Sequence, residues 1–114
     1  MVGLSIAMEQ SGDKRILRLE GRLDAQTVSS LEKEIDSLFE LQHKKVLLNF
    51  AKVADLSRDS LQMLGSQTKK FKEGKGSLGL SNVSPDLMKH IESVGLDRIL
   101  LIYHNELDAL QAMA

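Results

Sequence analysis

Three short apolar runs constrain this chain most: "KVLLNF" at 45–50, "LGLSNV" at 78–83 and "RILLIY" at 98–103. Between them, apolar residues recur every three or four positions instead. A chain that alternates strand-like runs with helix-like periodicity closes neither a helical bundle nor a sandwich of sheets. It must lay helices against a largely parallel sheet, each helix crossing from one strand to the next. The run at 45–50 alternates too little for a half-exposed strand. It is expected at the centre of the sheet, covered on both faces.

The remaining elements follow from periodicity and punctuation. Leu4, Ile6 and Met8 share one face of an alternating segment, 4–10, which reads as a half-buried strand. Ser11-Gly12-Asp13 reads as a hairpin turn into a second strand at 14–21. Asp24 stands as an N-cap before Val28, Leu31, Ile35 and Leu38, whose spacing predicts an amphipathic helix to about Leu41. Leu61, Leu64, Thr68 and Phe71 predict a second helix, stopped by the glycines of "KEGKGS" at 72–77. Ser84 as N-cap, Pro85 at the first helical position and Asp86 in the first turn open a third. Its apolar stripe is Leu87, Ile91 and Val94, and Gly95 is placed for a left-handed stop. Asn105 caps a last short helix carrying Leu107, Leu110 and Met113. The expected fold is α/β, one domain over 1–114, with a mixed β-sheet in the order β-β-α-β-α-β-α-β-α. Its helical crossovers are expected to be right-handed.

Composition removes several functions. Aromatics make up only 4% of the 114 residues, so a core must come from Leu, Ile, Val and Met. Fifteen basic and 16 acidic residues leave a net charge of −1, without the basic stripe that nucleic-acid binding requires. The absence of cysteine excludes disulfides, thiol catalysis and zinc–thiolate sites. The N-terminal residues lack a signal-peptide pattern, and no run reaches the roughly 18 apolar residues of a membrane helix. A soluble, cytoplasmic protein without membrane insertion is expected. His43, His90 and His104 fall on different elements without metal-ligand spacing, so no metal or cofactor is expected. No serine carries nucleophile-elbow glycines, and catalysis is not expected. Gly74-Lys75-Gly76 follows a helix, the reverse of a phosphate cradle. Lys69, Lys70, Lys72 and Lys75 suit a helix C-terminus, with contact to an anionic partner as a second reading.

One stretch remains, "VADLSRDSLQML" at 53–64. Ser57-Arg58-Asp59-Ser60 falls between the central strand and a helix, at the strand's carboxyl end, where open α/β sheets place their sites. Ser57 can simply cap the helix while Asp59 complements its dipole. The same turn can also present free amides to an anion or a partner.

Order and motifs together resemble the STAS domain family, of the anti-sigma factor antagonist type. "GRLD" at 21–24 is similar to the family's G-x-L-D. "VLLNFAKV" at 46–53 is similar to its V-x-L-D-L-S-x-V strand, with Asn49 for the common Asp. "SNVSPDLMKHIESVGLDRIL" at 81–100 resembles its N-x-S-P segment and following L-x-x-x-G-L. The resemblance implies a binding protein whose D-S-x-G turn is phosphorylated on its serine by an anti-sigma factor of the serine-kinase type. Counted without a gap, the acidic position falls on Ser57, the acceptor on Arg58, the glycine on Ser60 and the leucine on Leu61. The scaffold matches and the switch departs, because arginine has no oxygen to phosphorylate. A shifted register would make Asp59-Ser60 the Asp-Ser pair and Ser60 the acceptor; Ser57 is the other neighbouring hydroxyl. The implied docking face is Asp24, Ser57, Arg58, Asp59, Ser60 and Leu61. Its implied partner is a kinase-type anti-sigma factor or a STAS-containing scaffold. Two other readings are a STAS subunit bound to a membrane lipid or anion transporter, and a small-ligand or nucleotide-binding module.

Overall fold

β1 (Leu4–Ser11) and β2 (Lys14–Leu23) form an antiparallel hairpin across Gly12 and Asp13. Then come α1 (Val28–Glu40), β3 (Lys45–Leu56), α2 (Arg58–Glu73), β4 (Ser77–Ser81) and α3 (Pro85–Ser93). A 3₁₀ turn at Leu96–Arg98, β5 (Leu101–Tyr103) and α4 (Glu106–Ala112) complete the chain. This computed structural model describes residues 3–113. The strands lie in chain order, β1-β2-β3-β4-β5, and every pairing after the hairpin is parallel. The expected mixed α/β sheet is the observed one.

Strand order decides where the helices go. Right-handed crossovers that always step in one direction put every crossover helix on the same sheet face. Leu31 and Ile35 of α1, Leu61, Leu64 and Phe71 of α2, and Leu87 and Ile91 of α3 accordingly share one cluster. They pack there with Leu17, Leu48, Phe50 and Leu80 of the strands. No crossover constrains α4, which packs on the opposite face, with Ala109 and Met113 in one cluster with Ile16 and Leu47. Val46, Leu47 and Leu48 are therefore buried on both sides, as the uninterrupted run predicts.

Four expectations need correction. Met8 is 57% exposed: β1 is an edge strand, and only Leu4 and Ile6 reach the core. β3 continues to Leu56, because Val53 and Leu56 still point into the core, and β2 follows it through two register irregularities. β5 spans three residues, not six, because the 3₁₀ turn after left-handed Gly95 takes up the start of the run. Val94 and Leu107 are exposed. Leu107 lies about 200° around α4 from buried Ala109, so the two cannot face the sheet together.

α4 is short, and a polar clamp holds its first residue. Arg18 donates to both carboxylate oxygens of Glu106, at 2.9 and 3.0 Å, and also to Glu9. Asn49 donates to Glu106 through Nδ2, while its Oδ1 accepts from Ala51 N–H at 2.8 Å. Arg18 first, then Asn49, holds the Glu106 carboxyl below its ordinary value against the opposing effect of burial. A carboxyl lowered on folding stabilises above its unfolded value of about 4.3, and that contribution fades as pH falls toward the folded value. Acidification below about pH 4 is therefore expected to loosen α4 before the rest of the domain unfolds. Tyr103, the sole tyrosine, packs against the α4 cluster, so near-UV circular dichroism reads the change. Glu106→Gln should flatten that profile and cost up to about 1 kcal/mol at neutral pH.

Candidate functional site

β2 and β3 end side by side. Leu23 is paired with Leu56, and Ser57 N–H donates to the Leu23 carbonyl at 2.8 Å. Asp24 and Ser57, each one residue further along, open neighbouring turns at the carboxyl edge of the sheet. The structure thus brings Asp24 and the 57–60 turn together.

Within that edge, each residue has a distinct place. Ser57 is extended (φ −78°, ψ 165°), and its Oγ accepts from Ser60 N–H at 3.2 Å, so it caps α2. The Ser57 and Ser60 hydroxyls lie 2.9 Å apart. Ser60 and Leu61, both expected on the docking face, are 0% and 1% exposed and pack into the core. Arg58 and Asp59 stand exposed in the first turn of α2. Neither has an ion-pair partner among the described residues. Asp24 departs from its expected role as cap of α1. Its Oδ1 accepts from Gln26 N–H at 2.9 Å and Thr27 N–H at 3.1 Å, while Thr27 Oγ1 accepts from Asp24 N–H at 3.0 Å. This reciprocal box closes the turn before the helix, and Thr27 itself stands at the cap position.

The Ser57 and Ser60 hydroxyls are hydrogen-bonded to each other, and Ser57 Oγ also accepts from a backbone amide; among the described residues no basic side chain is hydrogen-bonded to either to activate it as a nucleophile. What remains free is one cation and one anion on a capped helix end. Beside them runs an open groove of about 430 Å³, lined by Arg58, Leu61, Gln62, Ser93, Val94 and Leu96. The sequence reading missed Gln62, Val94 and Leu96. They lie on α2, at the end of α3 and in the 3₁₀ turn, and only the sheet joins them. Asn82 turns the chain out of β4 at φ +59°, a conformation asparagine tolerates, and Ser84 Oγ then caps α3 by accepting from Leu87 N–H at 3.3 Å. These contacts give the N-x-S-P segment a physical basis.

No group of three or more metal-ligating side chains, and no helix long and apolar enough to cross a membrane, occurs among the described residues. An anti-sigma F factor antagonist of Paenibacillus polymyxa is 26% identical over 110 residues, covering 96% of this chain and 94% of its own. The crystal structure of an anti-sigma factor antagonist from Mycobacterium paratuberculosis superposes with a TM-score of 0.87 at 21% identity, over 96% of this chain and 93% of its own. The phosphorylated form of the Bacillus cell fate determinant SpoIIAA superposes at 0.73 and 18% identity, over 96% and 100%. The family model described as the STAS domain matches residues 5–109, nearly the whole of the described fold, and the chain belongs to that family.

Proposed function

We propose that this STAS protein is an anti-sigma factor antagonist that acts by binding and lacks the phosphoserine switch. Its partner is an anti-sigma factor of the serine-kinase type or a STAS-containing scaffold. The relatives named above are anti-sigma factor antagonists, and none points to a transporter. One observation carries the reading: the capped end of α2 presents Arg58 and Asp59 outward and encloses Ser60. A kinase reaching the α2 turn meets a guanidinium at the acceptor position of the ungapped alignment. The buried leucine at 61 supports that alignment. Ser60 could accept a phosphoryl group only after leaving the core, and Ser57 only after giving up its cap.

The test mixes the purified protein with the kinase-type anti-sigma factor of its own genome, with and without ATP. Calorimetry follows binding, and mass spectrometry follows phosphate. Asp59→Lys and Arg58→Glu should each weaken the complex about tenfold, some 1.4 kcal/mol, with unchanged melting temperatures. No stoichiometric phosphate should appear on Ser57 or Ser60. Equal binding by both variants would remove the turn from the interface. Phosphate on either serine, with release of the partner, would restore the switch.

A further inference from the structure

A separate feature lies at the opposite pole, where the parallel strands begin. The last turns of α2 and the loop after it carry Lys69, Lys70, Lys72 and Lys75. The loop before β3 adds Lys44 and Lys45, and the start of β2 adds Lys14 and Arg15. Three contacts fasten these segments together. Ser77 N–H donates to the Lys44 carbonyl at 2.8 Å, Lys44 Nζ to the Gly74 carbonyl at 3.2 Å, and Lys45 Nζ to Asp13 at 2.9 Å. Asp13, Asp36, Glu40 and Glu73 are the acidic residues of the same region, so eight positive charges face four negative ones. That pole holds a net +4 in a chain of net −1, and the remainder therefore holds −5. Sequence proximity alone accounts for only four of the eight.

The pole has an apolar point as well. Leu41, between α1 and β3, is 65% exposed. Next to it, the Lys44 and Lys70 ammonium groups lie over the Phe39 ring, with Nζ 5.2 and 4.7 Å from its centroid, and Lys70 Nζ also donates to Asp36 at 2.9 Å.

We propose that this pole is a peripheral binding surface for an anionic lipid bilayer, with Leu41 entering the headgroup layer. Three features favour a bilayer over a folded acidic protein. Seven of the eight cations are lysines, point charges suited to a diffuse field of phosphates and carboxylates, not bidentate forks suited to fixed partners, and Lys69, Lys72 and Lys75 stand exposed. The grooves at the open face of β1–β3 and beside Arg58 are lined by none of these eight cations. An exposed leucine among lysines pairs charge attraction with shallow apolar insertion, the two contributions that hold amphipathic surfaces on membranes. Strand direction then turns Arg58 and Asp59 away from the bilayer, on a molecule 30 Å across.

Cosedimentation with vesicles tests this on the full chain. The vesicles are phosphatidylcholine alone, or phosphatidylcholine with about 30 mol% phosphatidylserine, at about 50 and about 500 mM salt. Binding is expected only to the anionic vesicles at low salt. Lys72 and Lys75 are exposed, and Lys72→Glu with Lys75→Glu takes the pole from +4 to zero. With about fivefold per charge, the double variant should bind at least about 25-fold more weakly. Leu41→Ser should weaken binding while retaining its salt dependence. Absence of wild-type binding to anionic vesicles overturns the proposal, whatever the variants do. So does equal binding to neutral vesicles, or capture by heparin or duplex DNA without vesicle binding. Intact anionic-vesicle binding by a double variant with a wild-type melting temperature overturns it too.

Discussion

Leu48→Asp should leave no cooperatively folded protein at 25 °C. Leu48 is fully buried in the middle of β3, paired with Leu17 on one side and Leu80 on the other. Its side chain joins the cluster that α1, α2 and α3 share, where the buried neighbours are aliphatic or aromatic. Losing the leucine removes about 2–5 kcal/mol of transfer and packing energy. A carboxylate without a partner there adds several kcal/mol more. A domain of this size has a total margin of about 5–15 kcal/mol, so the two losses together consume most or all of it. Circular dichroism should show no sigmoidal melting, whereas Leu41→Asp, at an exposed position, should melt like the wild type. An unchanged melting temperature for Leu48→Asp would mean that β3 is not the centre of the core.

Gly21→Ala should cost at least about 3 kcal/mol without touching the hydrophobic core. Gly21 sits at φ +119°, and a Cβ there would lie 2.2 Å from the Gly3 carbonyl oxygen. That oxygen is fixed, since it accepts from Arg22 N–H at 2.7 Å. Alanine must either lift the start of β1 off β2 or bend β2 just before Asp24. At about 4–8 °C per kcal/mol, the melting temperature should fall by 10 °C or more. Gly12→Ala is the matched control, because Gly12 also has positive φ (+60°) but nothing lies within 4 Å of the added methyl. Equal losses at the two positions would show that only backbone strain matters at Gly21. The first residue of the G-x-L-D motif thus keeps the hairpin closed, and it reads as a signature only because the strand behind it comes so near.

Local chemistry was legible in the residues alone. Ser57, Ser84 and Asn105 each accept the amide that their cap position predicts, since a cap involves only residues within one turn. The order of strands and helices, the stop at Gly95 and the two-sided burial of Val46 to Leu48 were legible for the same reason: period and punctuation act over a few residues. Features that depend on distant segments were not. Ser60 and Leu61 went inside because α2 must turn its apolar stripe toward the sheet, which leaves Arg58 and Asp59 as the exposed part of the turn. The Arg18–Glu106–Asn49 clamp joins residues up to 88 positions apart, and no local pattern announces it. The groove beside Arg58 and the basic pole likewise come from segments that the sheet alone aligns. Sequence by itself determined which elements form, because hydrogen bonding and side-chain period are local. Tertiary structure decided which side chains remain exposed and which charges gather, because burial depends on what the strand order places on each face.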